Sequence, residues 1–209
     1  MNICDLQTGD IILISNYEKG IFNLFLDMIR YGSHSDYVHI GVIVKNPQFG
    51  EKPLEGTYIW ESSYEGTPDP QDGNVKLGVQ LTDIETFMKN YNNAKMFIRK
   101  FNDYSLFTEE NLAKVHKVVY DKPYDINPRD WISALFRRNS HPQQTDSFWC
   151  SAFVGYLLTK IGILNSETDW TILRPSDFAL DGEHLNWTSN IKLQPREYQL
   201  LTYDKPPSE

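Results

Sequence analysis

Three side chains in this sequence have the type and setting for acyl chemistry on sulfur: Cys150, His39 and Glu61. Cys150 falls in the first turn of the most apolar predicted helix, with Asp146 or Ser147 as N-cap, Phe153, Val154, Leu157, Leu158 and Ile161 along it, and Gly162 as C-cap. Unpaired backbone N–H groups and the helix dipole at such a position stabilise an anion, and the thiolate is the nucleophilic form of cysteine. The competing reading is packing, since free cysteine often serves as a small buried hydrophobe. His39 lies in a β-branched run with Gly41 two residues along on the same face, and a glycine there leaves space for a substrate or another backbone. The other histidines read differently: His116 on a helix surface, His141 and His184 in loops, His34 in a polar turn. Glu61 closes the run Tyr58-Ile59-Trp60-Glu61; alone it reads as a strand-end acid in solvent. If the two strands are neighbours, its carboxylate can hold one imidazole nitrogen while the other faces the thiol, as an activated nucleophile requires.

These residues need elements to carry them. Gly9-Asp10 signals a turn, and Ile11-Ile12-Leu13-Ile14 fits a strand buried on both faces. A helix is predicted over 20–31. The next strand, 37–45, sets Val38, Ile40, Val42 and Val44 on one face against His39, Gly41 and Ile43 on the other. Residues 57–62 give a strand with Ile59 and Glu61 sharing a face; 64–78, rich in Gly, Pro and acids, reads as a loop, either solvated or a lid. Strands over 76–81 and 95–101 flank a short helix at 83–91, and Thr108 starts a helix with Leu112, Val115, Val118 and Val119 as its buried stripe. A polar loop at 137–147, a short helix from Pro175, a closing strand at 198–203 and a frayed tail at 204–209 complete the chain.

Composition narrows the function. With 40% hydrophobic and 13% aromatic residues, the chain supports one sizeable core, read as a single domain over 1–203. A formal charge of −8 repels phosphate backbones and anionic surfaces, so nucleic acid is not expected as a partner. Two cysteines build neither a disulfide scaffold nor a cysteine-only zinc site, and Cys4 is expected as a packing residue. The first ten residues lack a basic region and an apolar run, and 148–164 is too short to span a bilayer. A cytoplasmic protein without stable membrane insertion is the expectation.

The run Leu6-Gln7-Thr8-Gly9-Asp10-Ile11-Ile12-Leu13, then Val38-His39-Ile40-Gly41-Val42-Ile43, Ile59-Trp60-Glu61 and Phe148-Trp149-Cys150-Ser151-Ala152-Phe153-Val154 resembles the circularly permuted papain-like cysteine hydrolases of the YiiX type, in the NlpC-like superfamily. The order of histidine first and cysteine helix last is that of the permuted branch. Lys122-Pro123-Tyr124-Asp125 is similar to that family's segment upstream of the cysteine, and Arg174-Pro175-Ser176-Asp177-Phe178 to the turn after the nucleophile helix. The resemblance covers about residues 5 to 180. It implies an α+β, circularly permuted papain-like (NlpC-like) fold with an antiparallel sheet packed against a buried nucleophile helix. It also implies Cys150 as nucleophile, His39 as base and later acid, and Glu61 as the orienting group.

The implied reaction is acyl transfer through a thioester on an amide or peptide bond, or on a lipid ester, with no cofactor and no metal. The Cys150 backbone N–H is the one oxyanion donor assigned; the pattern names no second donor and sets no oligomeric state. The superfamily spans cell-wall peptide cleavage and fatty-acyl transfer, so peptide-amide and acyl-lipid substrates both stand. A binding or structural module on the same scaffold is the alternative, because fold does not guarantee function.

Overall fold

A computed structural model of the chain describes residues 1–15, 35–125, 145–188 and 190–201. It shows an α+β arrangement built on a six-stranded antiparallel sheet. The strands are β1 (Ile11–Ser15), β2 (Tyr37–Lys45), β3 (Thr57–Ser63), β4 (Gly78–Asp83), β5 (Lys95–Phe101) and β6 (Leu193–Gln199), in the order β4-β3-β2-β1-β5-β6. Three α-helices accompany them among the described residues: α1 (Ile84–Asn90), α2 (Glu109–Val119) and α3 (Cys150–Lys160). None is long and apolar enough to cross a membrane.

Each face of the sheet carries its own core. Ile11 and Leu13 join Ile40, Val42, Trp60 and Leu81 against α2 and α3, while Ile12 and Ile14 join Ile43, Ile59, Met96 and Ile98 against Phe87 and Tyr91 at α1. This two-sided burial explains why β1 reads as an unbroken apolar run. Residues 150–158 of α3 are all buried, and at about 1.5–3 kcal/mol per large apolar side chain its packing dominates that face. Local signals start the other helices: the Asp83 side chain accepts from the Glu85 and Thr86 N–H groups, and Thr108 accepts from Asn111 N–H.

Several expectations need correction. Val38 packs with the α1-side core, not with Ile40, because the β1–β2 register shifts between Ile14 and Ser15 and turns the strand over there. The strand expected over 76–81 runs Gly78–Asp83, and the closing strand lies at Leu193–Gln199 rather than 198–203. The N-cap of α3 is Trp149, not Asp146 or Ser147, since Phe148 is held extended beside Tyr124: Asp125 N–H and Ser62 Oγ–H both donate to its carbonyl. Cys4 is exposed on the short 3-10 turn Ile3–Asp5 and is not a packing residue. His116 is buried rather than on a surface, its Nε2 2.6 Å from Gln71 Oε1 and its ring beside Phe49 and Trp60. The loop at 64–78 is not simply solvated: Glu65, Asp69 and Lys76 are buried in it. The helix over 20–31, His34, His141 and the tail at 204–209 lie outside the described residues, as does most of the loop at 137–147.

Candidate active site

The histidine and the carboxylate come from strands that part company. The β2–β3 ladder runs from Lys45↔Thr57 to Val42↔Trp60 and stops, although β2 begins at Tyr37 and β3 continues to Ser63. Beyond that point His39 and Glu61 meet side chain to side chain, with Nε2 2.5 Å from Oε2. Glu61 is fully buried; its other oxygen accepts from Thr82 Oγ1 at 2.6 Å. Gly41 makes the approach possible, since a Cβ there would lie 2.5 Å from Ile59 Cγ2 and 3.4 Å from Glu61 Cβ. The space it leaves is used by the neighbouring strand.

The thiol arrives on α3. Two hydroxyls pin the start of this helix: Ser62 Oγ donates to Phe148 O at 2.6 Å and Ser151 Oγ to Leu173 O at 2.7 Å. No side chain caps Trp149, so the first-turn N–H groups are left to other partners. The Cys150 thiol lies close enough to His39 to raise the pKa of its imidazole. The structure thus brings Cys150, His39 and Glu61 together from α3, β2 and β3, while Cys4, His116 and His184 lie apart: His184 Nδ1 is 3.5 Å from Asp177 Oδ1.

Further residues surround this trio. The Tyr91 ring lies parallel to the His39 imidazole at 5.8 Å between centroids, and Phe87 flanks it at 6.2 Å. Glu65 accepts from Tyr91 Oη at 3.0 Å, Ser63 Oγ at 2.5 Å and Asn90 Nδ2 at 2.7 Å. Tyr124 sets its phenol beside the Cys150 backbone at the start of α3. Its segment is fastened on both sides, with Lys122 O accepting from Val79 N–H and Pro123 O from Phe148 N–H. Gly78 permits this contact: at φ +152° it lies so close that a Cβ would meet Lys122 O at 2.2 Å. Of these residues, Tyr124 alone carried a sequence signal, through the Lys122–Asp125 segment; Thr82, Glu65 and Tyr91 carried none.

Electrostatics follow from burial. Desolvation works against the His39 cation, yet hydrogen bonds to Cys150 and Glu61 and their charges prevail, and its pKa is pushed up to about 10. The Glu61 carboxyl is pushed up to about 7, first by burial and next by the charge of Glu65, against the opposing pull of His39 and Thr82. Burial and the neighbouring Cys150 and Asp125 charges hold the Tyr124 phenol well above its ordinary value, so it stays protonated. Directly across the β3–β4 ladder from Glu61, the buried Gln80 Nε2 has no hydrogen-bond partner among the described residues.

A cavity of about 600 Å³ opens beside Tyr37 at the start of β2, and none of Cys150, His39 and Glu61 lines it. Asp36, Asp177, Asp181 and Glu183 line it against Lys95 and Arg174, giving a polar cleft with more acid than base. No group of three or more His, Cys, Asp or Glu side chains among the described residues is placed to hold a metal ion. No family model matches the chain, and no curated protein matches it.

Proposed function

We propose that the protein is a cysteine hydrolase or acyltransferase of the circularly permuted papain-like type, acting through a thioester on an amide or peptide bond. The single observation that carries this reading is the contact chain Cys150–His39–Glu61, drawn from three elements and buried under α1 and α3. An imidazolium held up to about pH 10 keeps its proton at neutrality, which suits it to sit opposite a thiolate.

In the proposed reaction the Cys150 sulfur attacks the substrate carbonyl carbon, and the carbonyl π electrons move onto oxygen. The oxyanion receives hydrogen bonds from the Cys150 backbone N–H and from the Tyr124 hydroxyl, the second donor. Collapse re-forms the carbonyl and breaks the C–N bond, with the His39 proton passing to the leaving amine. His39, now neutral, takes a proton from water; the hydroxide attacks the thioester, and the departing sulfur is left paired with the imidazolium once more. An alcohol or amine in place of water gives acyl transfer. Glu61 keeps the ring oriented and stabilises its cation throughout.

The test is iodoacetamide alkylation followed by mass analysis after incubation with peptide-amide and phospholipid panels. One thiol reacting fast at pH 7, absent in Cys150→Ala and kept in Cys4→Ala, together with an acyl adduct on Cys150 from the peptide panel, is the expected result. Equal, slow alkylation of both cysteines refutes the enzyme and leaves a binding module; an adduct from the lipid panel alone overturns the substrate class.

A further inference from the structure

The site holds a carboxylate for which the Cys–His–Glu chemistry has no use. Glu65, in the loop after β3, is buried, as are its partners Ser63 and Tyr91. It collects three donors, at 2.5, 2.7 and 3.0 Å, from Ser63, Asn90 and Tyr91. Tyr91 is the ring stacked 3° from parallel on His39, and Phe87 packs on Tyr91 at 4.6 Å. The chain of contact therefore runs from Glu65 through Tyr91 to the imidazole, on the face opposite α3. Gathering three donors and two carboxylates beneath one short helix costs desolvation, and removing one partner from such a network strands the others. A solvent-facing strand end would avoid that cost.

Resting on the hydrolase reading above, we propose that this second buried carboxylate, Glu65, is a positioning residue that fixes the His39 ring through Tyr91 and tunes Glu61 by its charge. The groups facing Glu61 are few. His39 reaches it from β2, Glu65 from the loop and Tyr91 from α1; β4 presents the neutral Thr82 and Gln80, and Cys150 of α3 lies beyond His39. Among these Glu65 supplies like charge, which disfavours the Glu61 carboxylate, and the imidazolium opposes it. Glu61 must be ionised to hold the His39 cation opposite the sulfur, so Glu65 governs how far into acid the reactive pair survives.

The experiment follows iodoacetamide alkylation of Cys150 from pH 4 to 10 in the full chain carrying Cys4→Ala, with melting curves to check the fold. Glu65→Gln keeps an oxygen for Tyr91 and removes the charge; the acid limb moves down by about one pH unit. Asn90→Lys leaves Glu65 in place and sets a cation against it at the end of α1; the limb moves the same way, which keeps the test open should Glu65→Gln not fold. Tyr91→Phe removes the hydroxyl tether alone, lowering the plateau rate without moving the limb. A limb unmoved in both Glu65→Gln and Asn90→Lys, or moved as far by Tyr91→Phe, overturns the proposal and reduces Glu65 to a structural acid. If the parent thiol shows no fast phase at any pH, the hydrolase reading itself fails, and this inference with it.

Discussion

Replacing Glu61 by glutamine isolates the contribution of charge at the centre of the site. Glu61 is fully buried, with one oxygen 2.5 Å from His39 Nε2 and the other 2.6 Å from Thr82 Oγ1. The glutamine carbonyl can still accept from His39 Nε2–H, and its amide can donate to the threonine oxygen, so the geometry survives. What goes is the charged acceptor. A hydrogen bond to a charged group contributes about 1.5–3 kcal/mol against about 0.5–1.5 for a neutral one, a difference of about 1–1.5 kcal/mol. At about 1.4 kcal/mol per pKa unit, the His39 cation, raised to about 10 in the native site, falls by about one unit. At about 9 the imidazolium still keeps its proton at neutral pH, so the alkylation rate of Cys150 changes little there, and its alkaline limb begins about one pH unit lower. The assay is a proton NMR titration of the His39 Cε1–H with the iodoacetamide rate measured on the same samples. A His39 titration unchanged in Glu61→Gln would refute the assignment of Glu61 as the group that holds the imidazolium.

The remaining predictions use other parts of the same architecture. Tyr124→Phe keeps the ring and removes the hydroxyl beside the Cys150 backbone; acyl-enzyme formation slows by about 100-fold with the melting temperature little changed, and an unaltered rate removes Tyr124 from the oxyanion site. Gly41→Ala drives a methyl to 2.5 Å from Ile59 Cγ2 and lowers stability by about 1–3 kcal/mol in urea unfolding; a neutral result would mean that β2 and β3 part readily. Lys76→Met strands the buried Asp69, which lies 3.0 Å from Lys76 Nζ, and costs about 3–5 kcal/mol in urea unfolding; a loss below about 1 kcal/mol would show the loop to be held by other contacts. Stability also falls with rising pH. His39 goes from 6.5 to about 10 on folding, so its contribution is complete below pH 6.5 and lost as pH climbs through 10. Glu61 goes from 4.5 to about 7, so the fold favours its protonated form and that contribution fades between pH 4.5 and 7. Melting temperature therefore declines from pH 5 to 10, and the double variant His39→Gln/Glu61→Gln flattens the curve.

Elements signalled by local chemistry are legible in the sequence: the β1 run, β5 at Lys95–Phe101, α1 behind Asp83 and α2 behind Thr108. Each depends on residues within a few positions of one another. The elements that escape depend on distant partners. The start of α3 is displaced to Cys150 because Tyr124, Asp125 and Ser62 hold Phe148 extended, and none of these is near in sequence. His116 is buried by Phe49 and Gln71, both from loops. Glu65 stands in a stretch whose composition signals solvent, and its burial is set by Asn90 and Tyr91 across the sheet face. Cys4 errs the other way: its residue type favours burial, but its 3-10 turn lies on the surface.

The spacing His39-x-Gly41 with Glu61 has a stricter meaning in three dimensions than along the chain. Extending the β2–β3 register from Val42↔Trp60 sets Gly41 opposite Glu61 and His39 diagonal to it. Diagonal neighbours on an antiparallel face are about 7–8 Å apart at the backbone, within reach of a long carboxylate and an imidazole only if nothing stands between. Any side chain at 41 would stand there, as the 3.4 Å from its Cβ position to Glu61 Cβ shows. With the ladder ended, the backbone of Tyr37–Gly41 still pairs with β1, while Ser62 turns its hydroxyl to the residue two before Cys150. The parting of the strands thus does two things at once: it lets His39 and Glu61 close on each other, and it gives the start of α3 a place to be fastened. The pairing lost between β2 and β3 is the structural condition for a thiol, an imidazole and a carboxylate from three separate elements to meet at one point.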